Sequence, residues 1–329
     1  MTGIVTPFPG RTMHNPTILA LALFLTACGV SDDDGQLRPN DGGGGTDARA
    51  TGDGGVPGTE ACEKMDILFV IDNSGSMDEE QANLIANFSG FATLIESYMT
   101  SSNRTLDYRI AITTAGRDVS YQISVLGNTF PLSESGDNGE FRTGCGVDRA
   151  WLERTDGNLV SAFECRANVG TGGPGAEMPF LGLEWSLSDE AASTNAGFVR
   201  EDALLAVVMI TDQDDCSRLD DGFVIDGLQP SCFDPNDSNI LPISHYLGFL
   251  DGLKGERGRW ASAVIAGTGP GSCSSAFGEA AEATRMIDFV NQAGTNSVLS
   301  SICSGDLTSA LEEALQNFEA ACESFPQID

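Results

Sequence analysis

The sequence predicts an α/β fold with a doubly wound, mostly parallel sheet, and three observations carry that prediction. Unbroken apolar runs rich in β-branched residues recur at 66–71 (DILFVI), 203–210 (ALLAVVMI) and 260–266 (WASAVIA). Such runs suit strands covered on both faces, as in a parallel sheet, rather than the alternation of a half-exposed strand. Stretches with helical apolar spacing lie between them, and strands alternating with helices imply crossover connections. No internal repeat and no second apolar core is evident, so one domain is expected over residues 61–324, with 325–329 as a tail.

In chain order, the strand at 66–71 is followed by Asp72, Asn73, Ser74, Gly75 and Ser76, which are small, oxygen-bearing and turn-prone. Asp78, Glu79 and Glu80 then suit the positive end of a helix. That helix, 79–98, carries Leu84, Phe88, Phe91, Leu94 and Ile95 on one face. Strands are expected at 108–115 and 121–126. Residues 127–170, rich in Gly, Asn, Asp and Ser, read as an inserted surface loop. A helix over 177–187 presents Phe180, Leu181, Leu183, Trp185 and Leu187, with Pro179 setting its start. The strand at 203–210 ends in Thr211-Asp212-Gln213-Asp214-Asp215-Cys216, and a second insertion covers 217–239. A helix at 240–253, a strand at 260–266, a helix at 279–292, a strand at 298–302 and a helix at 307–321 complete the order.

Ahead of this domain, Arg11 and His14 precede the apolar run 17–25 (TILALALFL), too short to span a bilayer and suited to a signal-peptide core. It ends in Leu25-Thr26-Ala27-Cys28, which resembles a bacterial lipobox. On that reading residues 1–28 are a lipoprotein signal peptide, Cys28 is lipidated, and the chain meets the membrane through its lipid anchor alone. Gly29 follows the cysteine, so no inner-membrane retention signal is evident, and the expected address is the outer membrane or cell surface. The alternative is an ordinary secretory signal cleaved near Ala27. Met13 is a second candidate start. Residues 29–60 are dominated by Gly and Asp with hardly any large apolar side chain, and read as a disordered acidic tether.

Lys+Arg 17 against Asp+Glu 48 gives a net charge of −31, which argues against nucleic acid as a partner and is compatible with cation binding. Of the 9 cysteines, Cys28 is assigned to the lipid. The other eight are Cys62, Cys145, Cys165, Cys216, Cys232, Cys273, Cys303 and Cys322. None forms a CxxC pair and His is nearly absent, so disulfides in an oxidising compartment fit better than zinc. Proximity in the chain suggests Cys145–Cys165, Cys216–Cys232 and Cys273–Cys303, leaving Cys62–Cys322 to join the domain's ends. Many other connectivities are open.

Asp72-x-Ser74-x-Ser76 after an apolar strand resembles the first motif of a von Willebrand factor type A domain, a Rossmann-like fold with a metal-ion-dependent adhesion site. The resemblance implies that three loops at one sheet edge hold a divalent cation. Asp72, Ser74 and Ser76 form the first, and Asp212 matches the acid after the fourth strand. The middle loop is expected to give a Thr. Here its stretch is GTGGPGAE, 170–177, where Thr171 has the chemistry and Glu177 the position; both stay candidates. Hard oxygen donors suit Mg²⁺ foremost, with Ca²⁺ or Mn²⁺ as alternatives. The implied function is a cell-surface lipoprotein, not an enzyme, that binds a protein partner offering a carboxylate to the cation. Otherwise 72–76 is a turn that only caps its helix.

Two further classes are kept. One is a structural subunit of an envelope complex whose metal stiffens the loops. The other is a secreted hydrolase using Ser74 or metal-activated water, with His245 as base. NSGSM lacks the flanking pattern of a nucleophile elbow. Residues 170–175 match G-x-G-x-x-G but do not follow the first strand, as a dinucleotide loop would.

Overall fold

The computed structural model describes residues 62–98, 105–188, 192–227, 237–305 and 307–326. The signal segment with Cys28, the tether over 29–60 and Cys232 lie outside the described residues.

β1 (Lys64–Ile71) is the centre of the sheet. Its side chains alternate between two cores: Met65, Ile67, Phe69 and Ile71 enter one, Leu68 and Val70 the other. α1 (Asp78–Ser97) opens with three acids in its first turn, where the helix dipole favours negative charge. It lays Leu84, Phe88, Phe91 and Ile95 on the first core. β2 (Asp107–Thr114) pairs in parallel with β1 from Lys64↔Asp107 to Ile71↔Thr114. β3 (Val119–Val125) and β4 (Asn128–Glu134) form an antiparallel hairpin. β5 (Leu152–Glu153) is a short antiparallel edge strand beside β2. α2 (Leu159–Ala167) and α3 (Pro179–Leu187) lead to β6 (Leu204–Ile210), which pairs in parallel with the other side of β1. β7 (Val224–Asp226) adds to β3. α4 (Ile243–Lys254), β8 (Trp260–Ala266), the hairpin β9 (Cys273–Ser275) with β10 (Gly278–Ala280), α5 (Thr284–Ala293), β11 (Ser297–Ser301) and α6 (Leu307–Glu323) follow.

The main sheet runs β11-β8-β6-β1-β2-β5, parallel except for β5. Phe163 of α2 and Leu307, Leu311 and Phe318 of α6 join α1 on one face, while Phe180, Leu183, Tyr246, Leu250, Met286 and Phe289 of α3 to α5 cover the other. The fold is thus α/β, doubly wound and mostly parallel, as the sequence predicts. The chain builds outward from β1 to β2, then crosses back and builds outward the other way from β6. That reversal lies between β1 and β6, at whose carboxyl ends open α/β sheets bind ligands.

Residues 127–170 are not a plain surface loop. They hold β4, β5 and α2, and Phe163 packs 5.2 Å from the Phe69 ring and 5.1 Å from Phe88. Buried Arg166 donates to the carbonyls of Gly144, Val147 and Arg149, so one guanidinium gathers the segment that Cys145–Cys165 also closes. The expected strand at 121–126 belongs to a separate three-stranded sheet, β4-β3-β7. The Gln122 amide donates to the carbonyl of Phe223, just ahead of β7, so its cross-strand partner Pro131 turns its nitrogen to the free edge, where a proline offers no donor for another strand. The helix expected over 279–292 begins only at Thr284, because Gly278–Ala280 is spent on the β9–β10 hairpin. Phe325, expected in the tail, is buried in the first core.

Disulfides join Cys62–Cys322, Cys145–Cys165 and Cys273–Cys303. Cys216 is disulfide-bonded as well.

Candidate metal centre

The carboxyl end of β1 is held to β6 beyond the strands themselves. The Asp72 amide donates to the Ile210 carbonyl (2.9 Å), and the Thr211 amide to that of Ile265 (3.1 Å). Two loops from distant parts of the chain are therefore fixed side by side. Within the first loop, Asp72 Oδ1 accepts from the Ser74 amide (2.8 Å), a local turn that short acidic side chains favour. Asp72 Oδ2 accepts from the Thr211 hydroxyl (2.9 Å), and the Asp72 carbonyl accepts from Gln81 Nε2 of α1 (2.9 Å). The Ser74 and Ser76 hydroxyls lie 3.0 Å apart. Gln213 Nε2 reaches Ser76 Oγ at 3.1 Å from the second loop.

The middle loop arrives by a backbone contact. The Gly173 amide donates to the Asn73 carbonyl (2.7 Å), and a Cβ at Gly173 would overlap the Asn73 side-chain amide. That close approach is the use this chain makes of its G-x-G-x-x-G stretch. Further on, Glu177 is pinned on both sides: the Met178 amide donates to the Ala115 carbonyl (2.6 Å) and the Cys216 amide to the Glu177 carbonyl (2.7 Å).

Asp72, Asp212 and Glu177 thereby share one electrostatic environment. Burial first, and then the Asp72 carboxylate, push the Asp212 carboxyl up to about 7 against the opposing Ser76 hydroxyl. Glu177 is raised well above its usual range by burial first and then by Asp72 and Asp212. Asp72 is raised by burial against the stabilising amide of Ser74 and hydroxyl of Thr211. Of the two middle-loop candidates, Glu177 joins this group. Thr171 is half-buried and makes no hydrogen bond or ion pair among the described residues.

The donor set fits a hard divalent cation. Asp212 Oδ1 and Glu177 Oε1 are buried and make no hydrogen bond, and among the described residues no cation pairs with any of the three carboxylates. Nearby Asp215, by contrast, is matched by Arg285 at 3.0 Å. Three buried acids without a counter-charge are costly unless something positive joins them. Among the described residues no three Asp, Glu, His or Cys side chains are grouped to hold an ion by themselves, and the further oxygens on the first loop are the hydroxyls of Ser74 and Ser76.

Two findings depart from the sequence reading. The rim is narrow: Asp72 and Ser74 are 1% exposed and Asp212 and Glu177 2%, leaving Ser76 and Gly75 open to solvent. Thr211, Gln213, Gln81 and Asn73 also build the centre, although only the pattern of Thr211 and Gln213 flanking Asp212 hinted at it. His245, the base of the hydrolase alternative, is engaged by Glu184 at 2.9 Å, while Ser74 Oγ faces Ser76.

No protein-family model and no curated protein sequence matches the chain. Among solved structures it is similar to proximal thread matrix protein 1 from the mussel byssus (14% identity, 79% of this chain, 47% of that one, TM-score 0.39). A form of that protein described as having a zinc occupied MIDAS motif matches at 13% identity over 80% of this chain and 47% of that one, TM-score 0.39. The pilus adhesin SpaC from Lactobacillus rhamnosus GG, in an open conformation, matches at 12% identity over 79% of this chain and 30% of that one, TM-score 0.41. The chain spans less than half the length of these proteins. At such TM-scores the likeness is a general one, and the centre stands on this chain's own residues.

Proposed function

We propose that this chain is a von Willebrand factor type A-like interaction module of the cell envelope, lipid-anchored through Cys28, that holds a divalent cation at the β1/β6 rim and docks a protein partner there. The observation that carries the reading is the convergence of Asp72, Asp212 and Glu177 with the hydroxyls of Ser74 and Ser76 at the topological switch point, with no counter-ion among the described residues. Asp72, Ser74, Ser76, Asp212 and Glu177 would hold the ion. Mg²⁺ is the first choice among hard cations, with Mn²⁺ and Ca²⁺ as alternatives. When bound, such an ion supplies an electrophilic centre for an oxygen ligand. The chain's own groups do the rest: Thr211 and the Ser74 amide fix the Asp72 carboxylate, and Gln81 fixes the backbone that carries it.

The test is calorimetric titration of Mg²⁺, Mn²⁺ and Ca²⁺ into the chelator-stripped full chain and into Asp72→Ala, with partner capture from envelope extract run with and without EDTA. Binding by the wild type, its loss in the variant and EDTA-sensitive capture are expected. Equal binding by both proteins, or capture indifferent to EDTA, would overturn the reading.

The depth at which the donors lie favours a second reading, an envelope subunit whose cation stiffens its loops. There, chelation lowers the melting temperature and leaves association intact.

A further inference from the structure

The charge of the site bears on what a partner can offer it. The resemblance implies a carboxylate, and the residues present argue otherwise. Asp72, Asp212 and Glu177 bring three buried carboxyls to one rim where no ion pair offsets them among the described residues. One divalent cation balances two carboxylates, so once it draws the proton from all three acids the group is left one charge negative, whether or not all three touch the ion. Behind them Glu80 is buried, with neither carboxylate oxygen hydrogen-bonded, and its charge also bears on Asp212. An acidic side chain from a partner would add a further like charge to a desolvated cluster. At the opening Ser76 and Gly75 are exposed and Gln213 and Asn73 half-buried, and the nearest exposed charges on the first loop's helix, Asp78 and Glu79, are acidic. Gln213 Nε2 already donates to Ser76 Oγ.

We infer that Glu177 makes this rim select an uncharged oxygen of the partner, a hydroxyl or a carbonyl, over a carboxylate. The inference rests on the cation site proposed above and names the ligand that site accepts. A like charge a few ångströms away, at the effective dielectric of a protein rim, changes affinity by about 100-fold. Exchanging Glu177 for a neutral residue removes that charge. The surrounding backbone bonds, Met178 to Ala115 and Cys216 to Glu177, run through main-chain atoms and do not depend on the side chain.

The experiment loads the full chain with Mn²⁺ and follows water-proton relaxation while acetate or acetamide is added. Wild type, Glu177→Thr and the near-isosteric Glu177→Gln are compared, the last guarding against a packing defect in the Thr variant. With each protein compared at full Mn²⁺ occupancy, the ratio of acetate to acetamide affinity is expected to be about 100-fold higher in both variants than in the wild type. An equal ratio in all three proteins, or acetate outcompeting acetamide on the wild type, would overturn the inference while leaving the cation site standing. Failure of the wild type to take up Mn²⁺ would overturn the site and the inference together.

Discussion

Asp212→Asn is expected to do two opposite things to stability, depending on whether metal is present. In the wild type, a cation that binds only the folded chain stabilises it by about 2.7 kcal/mol when its free concentration is a hundred times Kd. For a domain of this size, 1 kcal/mol moves the melting temperature by roughly 2–4 °C, so saturating Mg²⁺ or Mn²⁺ should raise it by about 5–11 °C over EDTA. Asp212 is the informative position because its Oδ1 is buried without a hydrogen-bond partner, while its backbone carbonyl accepts from the Ala281 amide whatever the side chain. An amide there gives up little local bonding. It removes a carboxyl whose ionisation the metal-free fold opposes, so at and above pH 7 the variant should melt above the wild type in EDTA. In metal it should lose the gain. Differential scanning calorimetry of both proteins, in chelator and in excess Mn²⁺, reads all four values. The reasoning fails if the variant keeps the full metal-dependent rise, or if it melts below the wild type in EDTA.

Three other outcomes are expected. Gly173→Ala, whose Cβ would overlap Asn73, should push the middle loop off the first and weaken Mn²⁺ binding by roughly 10-fold without removing a ligand, as calorimetric titration would show. Opening Cys62–Cys322 by double Ala substitution releases a closure across a sequence separation of 260 and should cost about 5 kcal/mol in urea unfolding. Lys254, whose ammonium donates to the Arg200 carbonyl at 2.6 Å, is lowered by burial to about 8 from 10.5. Between those values the unfolded chain holds a proton that the folded chain has lost, so stability should rise from pH 8 toward pH 10.5, and Lys254→Met should flatten that rise in denaturant midpoints.

The central strand was legible because an unbroken apolar run has one economical home, a strand covered on both faces. The same holds for 204–210 and 260–266. Asp72, Ser74, Ser76 and Asp212 could be placed at the carboxyl edge of the sheet because they follow such strands directly. The middle loop was ambiguous, since no local pattern decides between Thr171 and Glu177. What separates them is long-range: the bonds to Ala115 and Cys216 that place Glu177 beside Asp72. α2 was hidden because its short apolar stripe, Leu159, Ala162, Phe163 and Ala167, lies in a polar insertion, and its partner Phe69 is far away in the chain. Residues 279–283 contain good helix formers, yet the Ala281 amide bonds to Asp212 and the Ala283 amide to Gly267, and tertiary bonding overrides propensity there.

The position of β1 sets how the molecule would carry a load. Chain entering at Cys62 joins the strand at its amino end, and the rim stands at its carboxyl end, just beyond Ile71. A pull between Cys62 and anything held near Asp72 would run lengthwise through this one strand. The covalent backbone of that strand then takes the tension itself, and its ladders to β2 and β6 are neither peeled nor sheared by it.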